Sequence, residues 1–365
     1  MKLSDLDNLR NEKMIKFKEE IINGQSMTIV SYMVSSNDLW QLPNAIECRG
    51  ITFDTVTGEC VCRPFEKFFN VGENEQTRVE NLPMDNIVTI MAKRDGSMLS
   101  PILVNNTLYW KTKKSFYSTV AIEAAQNASD SVCELSKFAI HLGYTPIFEY
   151  TSNQCEIVIN YGSTPKFVLL AMRSISDGSY MQHSDVAFYG AKYGVEVIET
   201  YNYTFDFIVE QLTTIEDFEG YVIRFDTTDG TILAKKKGDW YILMHRVKTD
   251  LRERDVADMM LDEKLDDVKS SITQAGLSLQ PIEAIEHRVF TQLTDTATRV
   301  GDIVATTVGM TQKDVAIKYK DHELFGLIMT SFTGKEPDYK KFWVKTYRNS
   351  YNLATIYSNF KIDSE

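Results

Sequence analysis

Apolar and polar positions along the chain change rhythm twice. Met14 to Ile22 mixes apolar and charged residues at helical spacing, and Asn23-Gly24 follows as a stop, so a helix is expected there. From Met27 the rhythm becomes that of strands, at Met27–Val34, Glu47–Asp54, Glu59–Phe65, Ile87–Lys93, Met98–Val104 and Thr107–Thr112, with Asp, Asn and Gly turns between them. Ser118 to Leu142 gathers Val120, Ala124, Ala125, Val132, Leu135 and Phe138 largely on one stripe and reads as a helix. Strands resume at Thr145–Tyr150, Phe167–Ser174, Val195–Thr200, Tyr221–Phe225 and Thr231–Lys235.

Beyond about His245 the pattern is helical throughout, in Arg246–Ile272, Ile282–Val300, Thr311–Tyr319, Leu324–Phe332 and Pro337–Tyr357. The expected architecture is α+β: a domain over residues 1–245, followed by a smaller all-helical domain over 246–365.

Composition narrows this only slightly. The chain has 365 residues, with 43% hydrophobic and 25% charged, ordinary for a globular protein with a sizeable core. Met1 to Arg10 are polar and charged, unlike an export signal, and the longest apolar run, Phe167 to Met172, is a strand's length rather than a membrane span's. A cytoplasmic protein with reduced thiols is therefore expected. Cys60 and Cys62 share one strand face, but Cys48, Cys133 and Cys155 add neither a second pair nor histidines at zinc spacing. A net charge of −12 argues against a general nucleic-acid coat. It leaves room for an enzyme that holds phosphates in a local basic cleft.

The lysines supply that cleft. Lys93-Arg94-Asp95-Gly96-Ser97 ends one strand and turns into the next, which would hold the Lys93 amine at the mouth of a sheet. A lysine is a poor nucleophile while protonated, and burial or nearby cations free such an amine to attack. The pattern alone is weak, because Asp-Gly turns are common. Its company adds weight: a strand carboxylate at Glu149, another at Glu219, and then Lys235-Lys236-Lys237, in which Lys235 and Lys237 project to one face. Two ammonium groups aimed at one point suit a departing polyphosphate, and two carboxylates suit a divalent metal or its waters. Taken singly, each carboxylate reads as a surface or ion-paired residue, and the lysine run as a solvated sheet edge.

The ordered set Lys93-x-Asp95-Gly96, Phe148-Glu149-Tyr150, Glu219-Gly220-Tyr221-Val222 and Lys235-x-Lys237 resembles the nucleotidyltransferase motifs of ligases and RNA capping enzymes. Glu47-Cys48-Arg49-Gly50-Ile51, Arg63-Pro64-Phe65-Glu66-Lys67-Phe68-Phe69-Asn70 and Asp239-Trp240-Tyr241 narrow the resemblance to the RNA ligase 1 family of T-even phages, over most of residues 28–245. That resemblance implies an adenylation domain of antiparallel sheets and helices. It further implies an ATP-dependent RNA ligase with AMP covalently attached to Lys93.

By the same resemblance Arg49 and Lys67 would contact ATP phosphates and Phe69 would support that wall. Asp95 and Gly96 would shape the nucleophile turn, and Lys113 would lie near the nucleotide. Glu149 would contact the ribose or a metal-bound water, and Glu219 would serve Mg2+ or Mn2+. Lys235 and Lys237 would act catalytically on the α-phosphate and pyrophosphate, and Tyr241 would line the site. The implied partner is RNA with 5′-phosphate and 3′-hydroxyl ends, such as a cleaved tRNA in a phage-infected bacterial cell, handled by a monomer away from any membrane.

Lys236 departs from the family's apolar residue and by alternation faces away. Rival readings are a DNA ligase, a capping-type enzyme or a non-catalytic RNA-end binder. In the helical region Lys340, Lys341, Lys345 and Arg348, interleaved with Phe342, Trp343 and Tyr347, form a candidate RNA face, unless the aromatics are core.

Overall fold

The computed structural model describes residues 1–357, apart from positions 13, 34–36, 154, 156–157, 229 and 275–276. Its strands, in chain order, are β1 Ile15–Ile22, β2 Gln25–Tyr32, β3 Arg49–Asp54, β4 Cys60–Cys62, β5 Phe69–Asn70, β6 Ile87–Lys93, β7 Ser97–Val104, β8 Thr107–Lys111, β9 Tyr144–Thr151, β10 Lys166–Ser174, β11 Thr200–Tyr201, β12 Gly220–Thr227 and β13 Gly230–Lys237. They form three sheets with orders β1-β2-β3-β4, β10-β9-β7-β8 and β11-β6-β12-β13-β5. Named neighbours pair antiparallel except β13 with β5, which run parallel. The architecture is α+β.

The first segment corrects the helix expected at Met14–Ile22. It is β1, paired residue by residue with β2 from Ile15 opposite Tyr32 to Ile22 opposite Gln25. Asn23 and Gly24 both have positive φ, 48° and 80°, so Asn-Gly is a two-residue hairpin turn rather than a helix stop. The run Lys-Phe-Lys-Glu-Glu-Ile-Ile fits either period over so short a window, and pairing with the buried β2 decides it. The single helix expected at Ser118–Leu142 is two, Thr119–Asn127 and Asp130–His141. The break comes where the Ser129 hydroxyl accepts the Val132 amide at 3.3 Å and caps the second. Of the strand expected at Val195–Thr200, Thr200 enters β11, while Leu169 donates to the Glu196 carbonyl and accepts from the Ile198 amide.

The second and third sheets share core. Met91 and Ala92 of β6 cluster with Val168 of β10 and with Ile198, while Ile147 of β9 and Leu233 of β13 cluster with Phe65 and Tyr180. Between these sheets lies a buried ion network. Arg63 donates Nη2 to Glu47 Oε1 at 2.7 Å, and Arg173 donates to both Glu47 oxygens at 2.8 and 2.9 Å and to Glu66 Oε2 at 2.9 Å. Arg63 also lies within contact distance of Gly178, whose φ of +83° leaves room for the guanidinium. Burial pushes the Glu47 carboxyl up, but the Arg173 and Arg63 guanidiniums outweigh it and hold it below the usual range. The network joins the entry to β3, the 63–66 segment and β10, and so fixes the motifs that carry Arg49 and Lys67.

The chain divides into two compact units, Met1–Ile242 and a second beginning at Leu243. The second is built of helices. The long helix expected at Arg246–Ile272 is three, Asp239–Thr249, Glu253–Leu261 and Leu265–Gln274, and Gln280–Ala305, Gln312–Tyr319, Phe325–Phe332 and Tyr339–Thr346 follow. The candidate RNA face on the last of these loses most of its free groups. Trp343 is fully buried with its Nε1 donating to Gln292, Lys340 pairs with Asp262 at 2.7 Å, and Arg348 pairs with Asp258 at 2.7 Å. Trp343 is core.

Removing one partner of a buried pair leaves an uncompensated charge. Glu47→Ala should therefore lower stability by about 3–5 kcal/mol in urea unfolding. Asp7→Ala, which breaks an exposed pair with Arg10, should cost less than about 1 kcal/mol. Equal small shifts for both variants would show that the Glu47 network contributes little.

Candidate active site

Sheet register assembles the site. Lys93 at the end of β6 and Lys237 at the end of β13 are both opposite Gly220 of the intervening β12. One step along, Met91 and Lys235 are both opposite Val222. Directly opposed residues share a face. Lys93, Lys235 and Lys237 therefore project from one surface, with Met91 and Val222 as its apolar floor. Lys236 belongs to the row of Tyr221 and Ala92, on the other face.

Gly220 is required by this packing. Its φ is +145°, and a Cβ there would lie 2.1 Å from the Lys236 carbonyl oxygen. Next to it, Glu219 is buried and takes both flanking amines on a single oxygen, Lys93 Nζ at 2.7 Å and Lys237 Nζ at 3.1 Å. Its other oxygen, Oε2, is buried without a hydrogen-bond partner among the described residues.

These lysines open onto a cavity of about 220 Å³ between the second and third sheets, lined by Arg49, Phe65, Phe68, Glu149, Leu170 and Ile198 besides the rows above. The Arg49 guanidinium lies over Phe68 at 5.2 Å, and its Nη1 is buried with no hydrogen-bond partner among the described residues. Lys235 Nζ approaches the same ring at 5.6 Å. Burial, then repulsion from Lys67, Lys93, Arg49 and Lys237, lowers Lys235 to about 7. Glu149, opposite Met98 of β7, is pushed up to about 8 by burial, against the pull of Lys93 and with the push of Glu219.

Lys67, Phe69 and Lys113 form the adjoining wall. Lys67 Nζ lies 4.5 Å from the Phe69 ring centre and 5.8 Å from that of Trp40, and pairs with Glu73 at 3.5 Å. Burial lowers the Lys67 amine. Lys113 Nζ lies over Tyr32 at 4.4 Å, and burial, followed by Lys114, Arg49 and Lys67, lowers it to about 8. The Lys113 backbone abuts Gly50, where an added Cβ would meet its carbonyl oxygen at 2.7 Å, which couples the Arg49-Gly50 pair to the Lys113 loop.

Asp95 and Tyr241 lie beneath this surface. The buried Asp95 carboxylate accepts from the Val158 and Ile159 amides at 2.7 and 3.0 Å and from the Tyr241 hydroxyl at 2.8 Å. Gly96 lines the cavity, and a Cβ on it would lie 2.5 Å from the Tyr150 carbonyl. Lys237 Nζ rests 4.7 Å from the Tyr241 ring centre. Asp95, Gly96 and Tyr241 thus brace the turn that carries Lys93.

Three contributors carried no chemical signal in the sequence. Leu170 and Ile198 read as ordinary core, and Tyr161, whose hydroxyl accepts the Asp95 amide at 3.1 Å, is a lone loop tyrosine. Among the described residues, no group of three or more His, Cys, Asp or Glu is placed to hold a metal, and no helix is long and apolar enough to cross a membrane.

A buried row of lysines around one carboxylate, facing a cavity with unsatisfied donors, is the arrangement of a site for phosphoryl or nucleotidyl transfer. The family model described as RNA ligase, of the T4 type, matches residues 47–251, and the chain belongs to that family. A candidate RNA ligase of Thermovibrio ammonificans is 28% identical, over 71% of this chain and 69% of its own. RNA ligase 1 of bacteriophage TS2126 is 26% identical, over 68% of this chain and 64% of its own. Among solved structures, an archaeal ATP-dependent RNA ligase aligns at 12% identity with a TM-score of 0.47, over 76% of each chain.

Gly220→Ala forces a side chain against the Lys236 backbone at a φ that L-residues rarely adopt. The expected loss is about 1–3 kcal/mol, read from the urea midpoint. An unchanged midpoint would show that β12 and β13 accommodate the methyl group.

Proposed function

We propose that this chain is an ATP-dependent RNA ligase that seals 5′-phosphate and 3′-hydroxyl RNA ends through an AMP carried on Lys93. The observation that carries the reading is the cross-strand row in which Lys93 and Lys237 share one oxygen of Glu219, with Lys235 one step along the same face. Family membership supports RNA as the substrate.

In the proposed first step the neutral Lys93 amine attacks the α-phosphorus of ATP, forming an N–P bond as the bond to pyrophosphate breaks. Glu219 aims the amine, and Lys235 and Lys237 neutralise charge on the α-phosphate and the departing pyrophosphate. Arg49, Lys67 and Lys113 hold the outer phosphates, and the unpartnered Arg49 Nη1 is a ready donor for one of them. Phe69 backs Lys67, and the apolar floor of Met91, Leu170, Ile198 and Val222 receives the base. An RNA 5′-phosphate oxygen next attacks the same phosphorus and releases Lys93. A 3′-hydroxyl oxygen finally attacks the 5′-phosphorus, and AMP leaves.

A divalent metal fits the carboxylates. The buried, unpartnered Oε2 of Glu219 is an available ligand atom with Glu149 nearby, and Mg2+ or Mn2+ bound there would supply positive charge to the phosphates. The physiological RNA we assign is a broken structured RNA such as a cleaved tRNA loop.

With ATP and a 5′-phosphorylated RNA, the protein should seal ends, and Lys93→Ala should not. Given RNA that already carries a 5′-AMP cap, Lys93→Ala should still seal, because only the first two steps use the amine. Sealing from ATP by Lys93→Ala would overturn the assignment.

The lowered amines give a pH signature. Above about pH 7 Lys235 is increasingly neutral in the empty site, as is Lys113 near 8, whereas phosphate oxygens favour their charged forms. Binding of a non-transferable ATP analogue should therefore take up protons, and its affinity should fall as pH rises from 7 to 9. Calorimetry in buffers of different ionisation heat should show this uptake, reduced in Lys235→Ala. An uptake unchanged in that variant would place its source elsewhere.

A further inference from the structure

Away from the lysine cavity, the third sheet has an open edge. β11 covers β6 only at Ile90 and Met91, so among the described residues no strand flanks Ile87 to Thr89 on that side. Val88 is the extra residue of a bulge, since Thr89 is opposite Arg224 and Ile87 opposite Phe225, which leaves it without a counterpart in β12. The Ala92 amide donates toward the β11 side, to Glu199 at 2.9 Å, and by alternation the Val88 backbone faces the same edge.

After Tyr201 the chain diverges, and between residues 202–206 and the β6 edge lies a groove of about 480 Å³. Its apolar lining is unusually open to solvent: Val79, Val88 and Tyr203 are 49%, 47% and 37% exposed, and Phe207 packs on Tyr203 at 4.7 Å. Proteins commonly protect such an edge with lysine or proline, and this one presents valine. Exposed carboxylates stand beside the lining, Glu80 next to Val79, Asp85 next to Met84, and Asp206 in the groove itself.

We infer that this groove docks an extended segment of a partner protein, apolar on one face and carrying Lys or Arg on the other. The segment extends the sheet by main-chain bonding at Val88, seats its apolar side chains on Val79 and Tyr203, and meets Asp85 and Asp206 with its cations. The carboxylates favour a basic peptide and repel the phosphates of RNA. This inference stands apart from the lysine chemistry on the other side of β6.

The probe is a fluorescent, end-blocked peptide of about eight residues that alternates valine and lysine, titrated against the full chain by anisotropy. Saturable binding is expected, with protection of the Val88 amide from hydrogen exchange. Binding should weaken at least about tenfold in the charge-reversed Asp85→Lys/Asp206→Lys protein, and a valine–glutamate peptide should bind at least about tenfold more weakly. Both substituted residues are exposed, so ATP-dependent sealing by that variant serves as the check on folding. Val88→Pro, which removes the edge N–H, should weaken binding similarly. The inference is overturned if binding is absent, if it survives charge reversal, if the protection maps elsewhere, or if single-stranded RNA protects Val88 instead.

Discussion

The site depends on one carboxylate holding two lysines. Glu219 Oε1 takes the Lys93 and Lys237 amines from the strands on either side of it. Without that shared anion, three lysines on adjacent strands would repel each other in a half-buried surface, where like charges are poorly screened. Much of the nearby structure serves to keep this arrangement in register. Gly220 lets β13 approach β12 closely, Asp95 ties the nucleophile turn to residues 158–159 and Tyr241, and Gly96 admits the Tyr150 carbonyl.

A second carboxylate, Glu47, does comparable work for the opposite wall. It neutralises Arg63 and Arg173 in the interior, and so sets the path of the chain through Arg49 and Lys67. The two anions differ in how completely they are used. Both Glu47 oxygens are saturated by guanidinium donors, whereas Glu219 keeps Oε2 unpartnered. Buried polar atoms are nearly always paired, so an orphan of this kind marks a place where a ligand completes the bonding. The Arg49 Nη1 orphan marks another in the same cavity.

The sequence made the reactive surface readable because period-two alternation converts directly into a shared face. Lys235 and Lys237 could be assigned one side, and Lys236 the other, before any pairing was known. It could not show that Gly220 aligns Lys93 with Lys237, because register across three strands is a long-range property. Leu170 and Ile198 were silent because an apolar residue lining a cavity looks the same as one filling a core. β1 was misread because charged and apolar residues alternated imperfectly, and Asn-Gly can either end a helix or turn a hairpin. Trp343 joined a candidate RNA face on helical spacing alone, and its full burial against Gln292 places it in the core.

The central claim is that Lys93, rather than any other lysine of this crowded surface, becomes covalently attached to AMP. Incubation with ATP, proteolysis and mass spectrometry of the peptides identify the modified residue directly. The account predicts one AMP adduct, on the peptide containing Lys93, reversed by added pyrophosphate. An adduct on Lys235, Lys237 or Lys67, or no adduct in a folded protein that nevertheless seals RNA from ATP, would contradict it.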